Sequence, residues 1–121
     1  MAKTCFIYLR ATCDSKQREI EMMHRQMHEC LMFAEKEDYK LDGIFTDTIK
    51  CKTPYLRQGF KMLENSIELD KPDAVLVSGF DRLTRNKKIL KRILKSYEDR
   101  KVGLISIQDF ELKKILGRDA L

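Results

Sequence analysis

The chain holds no apolar run near the ~20 residues that cross a bilayer, so no membrane partner is expected. Its N-terminal apolar patch is cut short by Arg10, which argues against a secretory signal. Four cysteines, Cys5, Cys13, Cys30 and Cys51, form no CxxC pair. Zinc and a redox dithiol are therefore not expected, and reduced thiols in a cytoplasmic protein are. No internal repeat or low-complexity segment is present. No glycine-rich phosphate loop follows the first apolar run, which leaves a flavodoxin-like site unsupported. A phosphatase-like Cys-x5-Arg loop is also missing, because Cys5 to Arg10 and Cys13 to Arg18 are each one residue short.

What remains is a chain of 121 residues, 43% hydrophobic and 36% charged, which is enough for one globular domain spanning residues 1–121. The net charge is +5 and unevenly spread. Between Arg82 and Lys101 stand Arg82, Arg85, Lys87, Lys88, Lys91, Arg92, Lys95, Arg100 and Lys101, opposed only by Glu98 and Asp99. Such a stripe fits a polyanion partner, although from charge alone a solvated helix face is the better reading.

The hydrophobic pattern alternates between two periods. Cys5 to Leu9 is a dense apolar run, as in a strand buried on both faces. Asp14 to Lys36 reads as a helix with Ile20, Met23, Met27, Leu31 and Ala34 on one face, and Asp14 with Gln17 suggests a capping box. Leu41 to Phe45 is a second strand. Thr53-Pro54 marks a helix start, with Leu56, Phe60, Leu63 and Ile67 turned inward. Ala74 to Val77 is a third strand. Asn86 caps a helix whose inner face is Ile89, Leu90, Ile93, Leu94 and Tyr97, and Val102 to Ile107 is a fourth strand. Asp109 to Leu121 reads as a short helix or a frayed tail. Strands alternating with helices imply an α/β domain, a mostly parallel four- or five-stranded sheet flanked by helices. Ligands of such sheets sit at the carboxyl ends of the strands. Those ends carry Arg10-Ala11-Thr12, Thr46-Asp47 and Gly79-Phe80-Asp81-Arg82.

Three segments at this rim fit one pattern: Tyr8-Leu9-Arg10-Ala11-Thr12-Cys13, then Asp47 with Leu56-Arg57-Gln58-Gly59-Phe60, then Asp81-Arg82-Leu83-Thr84-Arg85. Together they resemble the catalytic domain of the serine recombinases, the resolvase/invertase family, from about Phe6 to Ile107. Gln26 and Phe33-Ala34-Glu35 fit the first helix of that family's large branch. The resemblance implies a hydroxyl that attacks a DNA phosphodiester, forming a protein–DNA ester that a free 3′ hydroxyl later reverses. No cofactor is needed, because the bond energy is conserved. It implies that Arg10, Arg57, Arg82 and Arg85 clamp the phosphate, that Asp81 orients an arginine or the leaving group, and that Asp47 is a secondary polar partner. Lys87, Lys88 and Lys91 would contact DNA. DNA and a homo-oligomer, dimer or tetramer, are the implied partners.

The residues also admit plainer roles. Asp81-Arg82 fits a helix-entry ion pair, Arg57 a first-turn surface residue, and Asp47 a loop cap. The chain departs from the family pattern in several places. Thr12 stands at the serine position, and its methyl restricts χ1 and crowds the approach to phosphorus. Lys16 replaces a glutamine, Lys50, Cys51 and Lys52 lie where Ser-Gly is usual, and Gln58 replaces a proline. Cys13 and Ser15 are nearby substitutes for the nucleophile, off the pattern. Little follows Ile107, so the family's dimerisation helix and DNA-binding module are expected to be missing. Two functions stay open: a strand-cutting recombinase domain impaired by Thr12, and an inactive recombinase-like domain that binds DNA or a partner.

Overall fold

The computed structural model describes residues 2–110. Four parallel strands form one sheet: β1 (Lys3–Arg10), β2 (Tyr39–Asp47), β3 (Ala74–Val77) and β4 (Gly103–Ser106), in the order β2-β1-β3-β4. Three helices connect them: α1 (Lys16–Lys36), α2 (Gln58–Asp70) and α3 (Lys87–Asp99). The chain steps from β1 outward to β2, then back across to β3 on the other side of β1. That reversal opens a crevice at the carboxyl ends of β1 and β3.

β1 is central, and its unbroken apolar run serves two cores. Phe6 and Tyr8 point into a core with Phe60, Leu63 and Ile67 of α2 and Ile93 and Tyr97 of α3. Cys5, Ile7 and Leu9 point the other way, against Cys30, Phe33 and Ala34 of α1. β2 switches faces part-way along. Cys5 pairs with Leu41, but Phe6 pairs with Gly43, so Asp42 is an extra residue in the strand. Because side-chain period is two, one inserted residue reverses the pattern. Tyr39 and Leu41 pack toward α1, whereas Phe45 packs toward α2 and meets Phe6 edge-on.

Several boundaries and faces differ from the sequence reading. α1 begins at Lys16 with Ser15 as its cap, whose Oγ accepts from the Arg18 backbone N–H; Asp14 is outside. The buried face of α1 is Gln26, Cys30, Phe33 and Ala34, with Met23 and Met27 at its margin. Ile20 and Leu31 are exposed, because the helix rolls to bring Gln26 under the end of β1. Pro54 opens a separate 3₁₀ turn (Pro54–Leu56), so Leu56 swings out and is 64% exposed. β2 is longer than expected, and β4 is shorter by a residue at each end. Asn86 caps α3 as expected, its Oδ1 accepting from the Lys88 and Ile89 N–H groups. Ile107 to Phe110 form a helical turn. The remainder of the predicted tail lies outside the described residues. No helix among the described residues is long and apolar enough to cross a membrane.

Candidate active site

The carboxyl end of β1 is anchored from below. Gln26 of α1, buried, donates from Nε2 to the Arg10 carbonyl at 2.8 Å and accepts from the Arg10 N–H at 3.1 Å. This paired amide contact fixes the backbone two residues before Thr12. The Arg10 side chain then reaches across to the segment after β2, where Nη2 donates to the Ile49 and Cys51 carbonyls, both at 3.2 Å. Its Nε is buried and has no hydrogen-bond partner among the described residues. Burial, and then the neighbouring Arg57 charge, lowers the pKa of Arg10 from its ordinary value. A guanidinium stays protonated at neutral pH regardless, so the pair stores repulsion that an anion would relieve.

Arg57 is not a surface residue. It is 1% exposed, the largest fully buried side chain among the described residues. Its Nε donates to the Cys51 carbonyl at 2.9 Å, and its Nη1 to the Leu83 carbonyl at 2.7 Å and the Arg82 carbonyl at 3.3 Å. Nη1 also lies 3.5 Å from the Tyr8 hydroxyl. That hydroxyl donates to Asp47 Oδ2 at 2.7 Å, and burial together with this bond pushes the Tyr8 pKa well up. Asp47 completes the chain. It is buried and accepts from the Gly59 N–H at 2.8 Å and the Phe60 N–H at 2.9 Å. The α2 N-terminus has no side-chain cap from Arg57, the residue before it; the end of β2 supplies one instead. Gly59 is required there, since a Cβ would overlap the Thr46 carbonyl oxygen and crowd Asp47.

Above this network lies a cavity of about 530 Å³. Its walls are Arg10 at the end of β1 and Thr12 just after it, Lys52, Thr53 and Arg57 after β2, Asp81, Thr84, Arg85 and Asn86 after β3, and Ile89 in the first turn of α3. Four cations face one carboxylate. Thr12 is half-buried, and its hydroxyl makes no hydrogen bond among the described residues. The two substitute nucleophiles are committed elsewhere. Cys13 Sγ sits 3.0 Å from Met22 Sδ, and Ser15 caps α1. A larger hollow of about 730 Å³ lies on α1 beside Met32, Phe33 and Ile107. It is mostly apolar and has no grouped arginines among the described residues, so an anion finds its charge partners in the smaller, basic cavity.

Of the sequence-predicted site residues, Arg10, Thr12, Arg57, Asp81 and Arg85 meet in this one cavity. Asp47 sits behind Tyr8 as a helix cap, off the cavity wall. Arg82 contributes its carbonyl to Arg57; its Nε is buried 3.9 Å from Asp81 Oδ1, too long for a hydrogen bond. Lys87, Lys88 and Lys91 are exposed on α3, continuing from the cavity's Asn86 edge. The far end of the basic stripe is spoken for: Lys95 pairs with Asp99, and Arg100 pairs with Glu64 and Glu68 and lies over the Tyr97 ring. Sequence reasoning passed over Lys52, Thr53, Thr84 and Asn86 as wall residues. A polar tip on Tyr8 inside an apolar strand was the available sign of the buried network. Among the described residues no group of three His, Cys, Asp or Glu side chains is placed to hold a metal.

The family model described as "Resolvase, N terminal domain" matches residues 5–119. No curated protein matches the chain. Among solved structures, the N-terminal catalytic domain of TP901-1 integrase is 25% identical with a TM-score of 0.80, covering 88% of this chain and 79% of that one. A resolvase family site-specific recombinase from Streptococcus pneumoniae is 25% identical with a TM-score of 0.74, covering 88% and 73%. The C-terminal catalytic domain of ISC1926 TnpA, an IS607-like serine recombinase, shares the fold at 23% identity and a TM-score of 0.73, covering 86% and 67%.

Proposed function

This chain belongs to the resolvase N-terminal domain family, and on that premise we propose that it is the catalytic domain of a cytoplasmic site-specific DNA recombinase, with Thr12 as its nucleophile. The supporting observation is the company Thr12 keeps: a free hydroxyl on the wall of a cavity whose cations outnumber its carboxylates four to one. A DNA phosphodiester entering the cavity would meet Arg10 and Arg85, both on its wall. The Thr12 oxygen attacks phosphorus, the P–O3′ bond breaks, and the strand is left joined to Thr12 through its 5′ phosphate. The threonine proton ends on the departing 3′ oxygen. Among the described residues, Asp81 is the carboxylate on the wall through which that proton can pass. The reverse attack by a 3′ hydroxyl restores the strand and frees Thr12, so no bond energy is lost. The threonine methyl must fit among the arginines and the phosphate, which slows the in-line approach relative to a serine.

A second reading has its own support. Arg10 and Arg57 already donate to carbonyls of residues 49 to 51, as in a domain that binds DNA or a partner without cutting. Nicked or suicide DNA substrates, with denaturing gels to trap the covalent adduct, separate the two. With the family's DNA-binding module supplied in fusion so that an oligomer can assemble, Thr12→Ser should raise adduct formation and Thr12→Ala should abolish it. Adduct from Thr12→Ala at the unsubstituted rate removes Thr12 as nucleophile. No adduct from either the unsubstituted protein or Thr12→Ser, with the fold intact, favours the binding reading. Without that module, contact through Lys87, Lys88 and Lys91 should give weak, sequence-indifferent and steeply salt-sensitive binding.

A further inference from the structure

The two lysines flanking Cys51 have opposite fates. Lys50 turns outward, its Nζ 3.1 Å from Asp14 Oδ1 in a fully solvated pair. Lys52 lines the cavity with Thr12, Arg10, Arg57 and Arg85. The backbone between them is held still. The Cys51 carbonyl accepts from Arg10 Nη2 and from Arg57 Nε, so two guanidiniums grip the residue just before Lys52. Pro54, buried, opens the turn just after it. The loop is thus braced on both sides of a lysine whose ammonium makes no ion pair or hydrogen bond among the described residues.

The arginines of the cavity are not equally available. Arg57 spends Nε and Nη1 on three backbone carbonyls, and Arg10 spends Nη2 on two. Lys52 and Arg85 are the wall cations with no such commitment among the described residues. We propose that Lys52 is a substrate-contacting residue of this site, its ammonium binding a non-bridging oxygen of the DNA phosphodiester held beside Thr12. This inference rests on the DNA-cleaving reading and adds to it a cation at a position where the family pattern has none. Lysine suits the position, as a compact charge on a flexible stem that follows the phosphate without a fixed fork. Arg57 correspondingly acts mainly by holding the loop that carries Lys52.

The test compares Lys52→Met, Lys52→Arg and Lys50→Met in the fusion that carries the DNA-binding module, with two readouts. The first is the slope of DNA affinity against salt concentration, on the logarithmic scales where each phosphate contact contributes ~0.9. The second is the rate of covalent adduct formation. Lys52→Met should flatten the slope by about one contact and slow the adduct ~10–100-fold, as for loss of one positioned charge. Lys52→Arg should keep both near the unsubstituted values, and Lys50→Met should change neither. Thermal melts should be alike for all three, since neither ammonium is part of the packed structure. An unchanged slope and rate in Lys52→Met overturns the proposal, and so does an equal loss in Lys50→Met, which would mean diffuse attraction only. Where the unsubstituted fusion binds DNA but forms no adduct, the cleavage reading fails separately, and the salt slopes alone decide Lys52.

Discussion

Arg57 and Arg85 border the same cavity and live under opposite conditions. Arg57 is sealed in, bonded to three carbonyls and linked through Tyr8 to Asp47 and the start of α2. Arg85 is exposed and has no bonded partner among the described residues. The buried half of the site is therefore scaffold in the form of charge, and the open half is where the proposed cleavage would take place. Two arginines of equal weight in a motif should give different phenotypes when removed, one in folding and the other in reaction.

The sharpest break in that comparison is Arg57→Met against Arg85→Ala. Loss of Arg57 strips donors from the Cys51, Arg82 and Leu83 carbonyls and removes the cation linked to Asp47 through the Tyr8 hydroxyl. A cost of ~3–5 kcal/mol is expected, read as a large drop in urea midpoint. Arg85→Ala should change stability by less than ~0.5 kcal/mol while reducing covalent adduct ~100-fold or more. Equal destabilisation by both would dissolve the distinction.

The two aspartates repeat the contrast on a smaller scale. Asp47→Ala removes three hydrogen bonds, two of them to the first N–H groups of α2, and should cost ~2–3 kcal/mol. Asp81→Ala should leave the midpoint nearly unchanged and show its effect only in the adduct assay. Tyr8→Phe isolates the link between Arg57 and Asp47. It deletes one buried hydroxyl and should cost ~1–2 kcal/mol with no new cavity.

The smallest expected effect concerns alkaline pH. Burial pushes the Cys5 thiol up to about 11 and the Cys30 thiol up to about 12, from an ordinary value of 9.0. The folded state thus holds protons that the unfolded chain releases. Stability from these groups is complete below about pH 9 and is lost as pH rises toward 11 and 12. The slope is at most ~1.4 kcal/mol per thiol per pH unit. Urea midpoints at pH 7 and pH 10 should differ, and Cys5→Ala with Cys30→Ala should narrow the difference. A midpoint independent of pH up to 10 would show that these thiols titrate alike in both states.

The fold was legible wherever burial alone sets the pattern. The Cys5 to Leu9 run, the Ala74 to Val77 run and the Asn86 cap all stand where the residues put them. It was less legible where a second element decides. Ile20 and Leu31 look like core but are exposed, because the inward face of α1 is chosen by Gln26 gripping Arg10. Leu56 looks like the first inward residue of α2 but belongs to a turn that ends before the helix starts. The extra residue at Asp42 leaves no local sign. The site shows the same division. Its chemistry-bearing side chains follow strands and could be read in order. The contact of buried Arg57 with Tyr8 and the capping by Asp47 join residues 12 to 49 positions apart, which no local spacing reveals.

Which atom carries the DNA decides whether Thr12 is the nucleophile. The covalent adduct, trapped on a suicide substrate and digested with protease and nuclease, can be read by mass spectrometry for the residue bearing the nucleotide phosphate. That mass is expected on Thr12. The same mass on Cys13, Ser15 or Thr53 would contradict that assignment and would move the reacting atom away from the Thr12 hydroxyl that shares the cavity wall with Arg10 and Arg85.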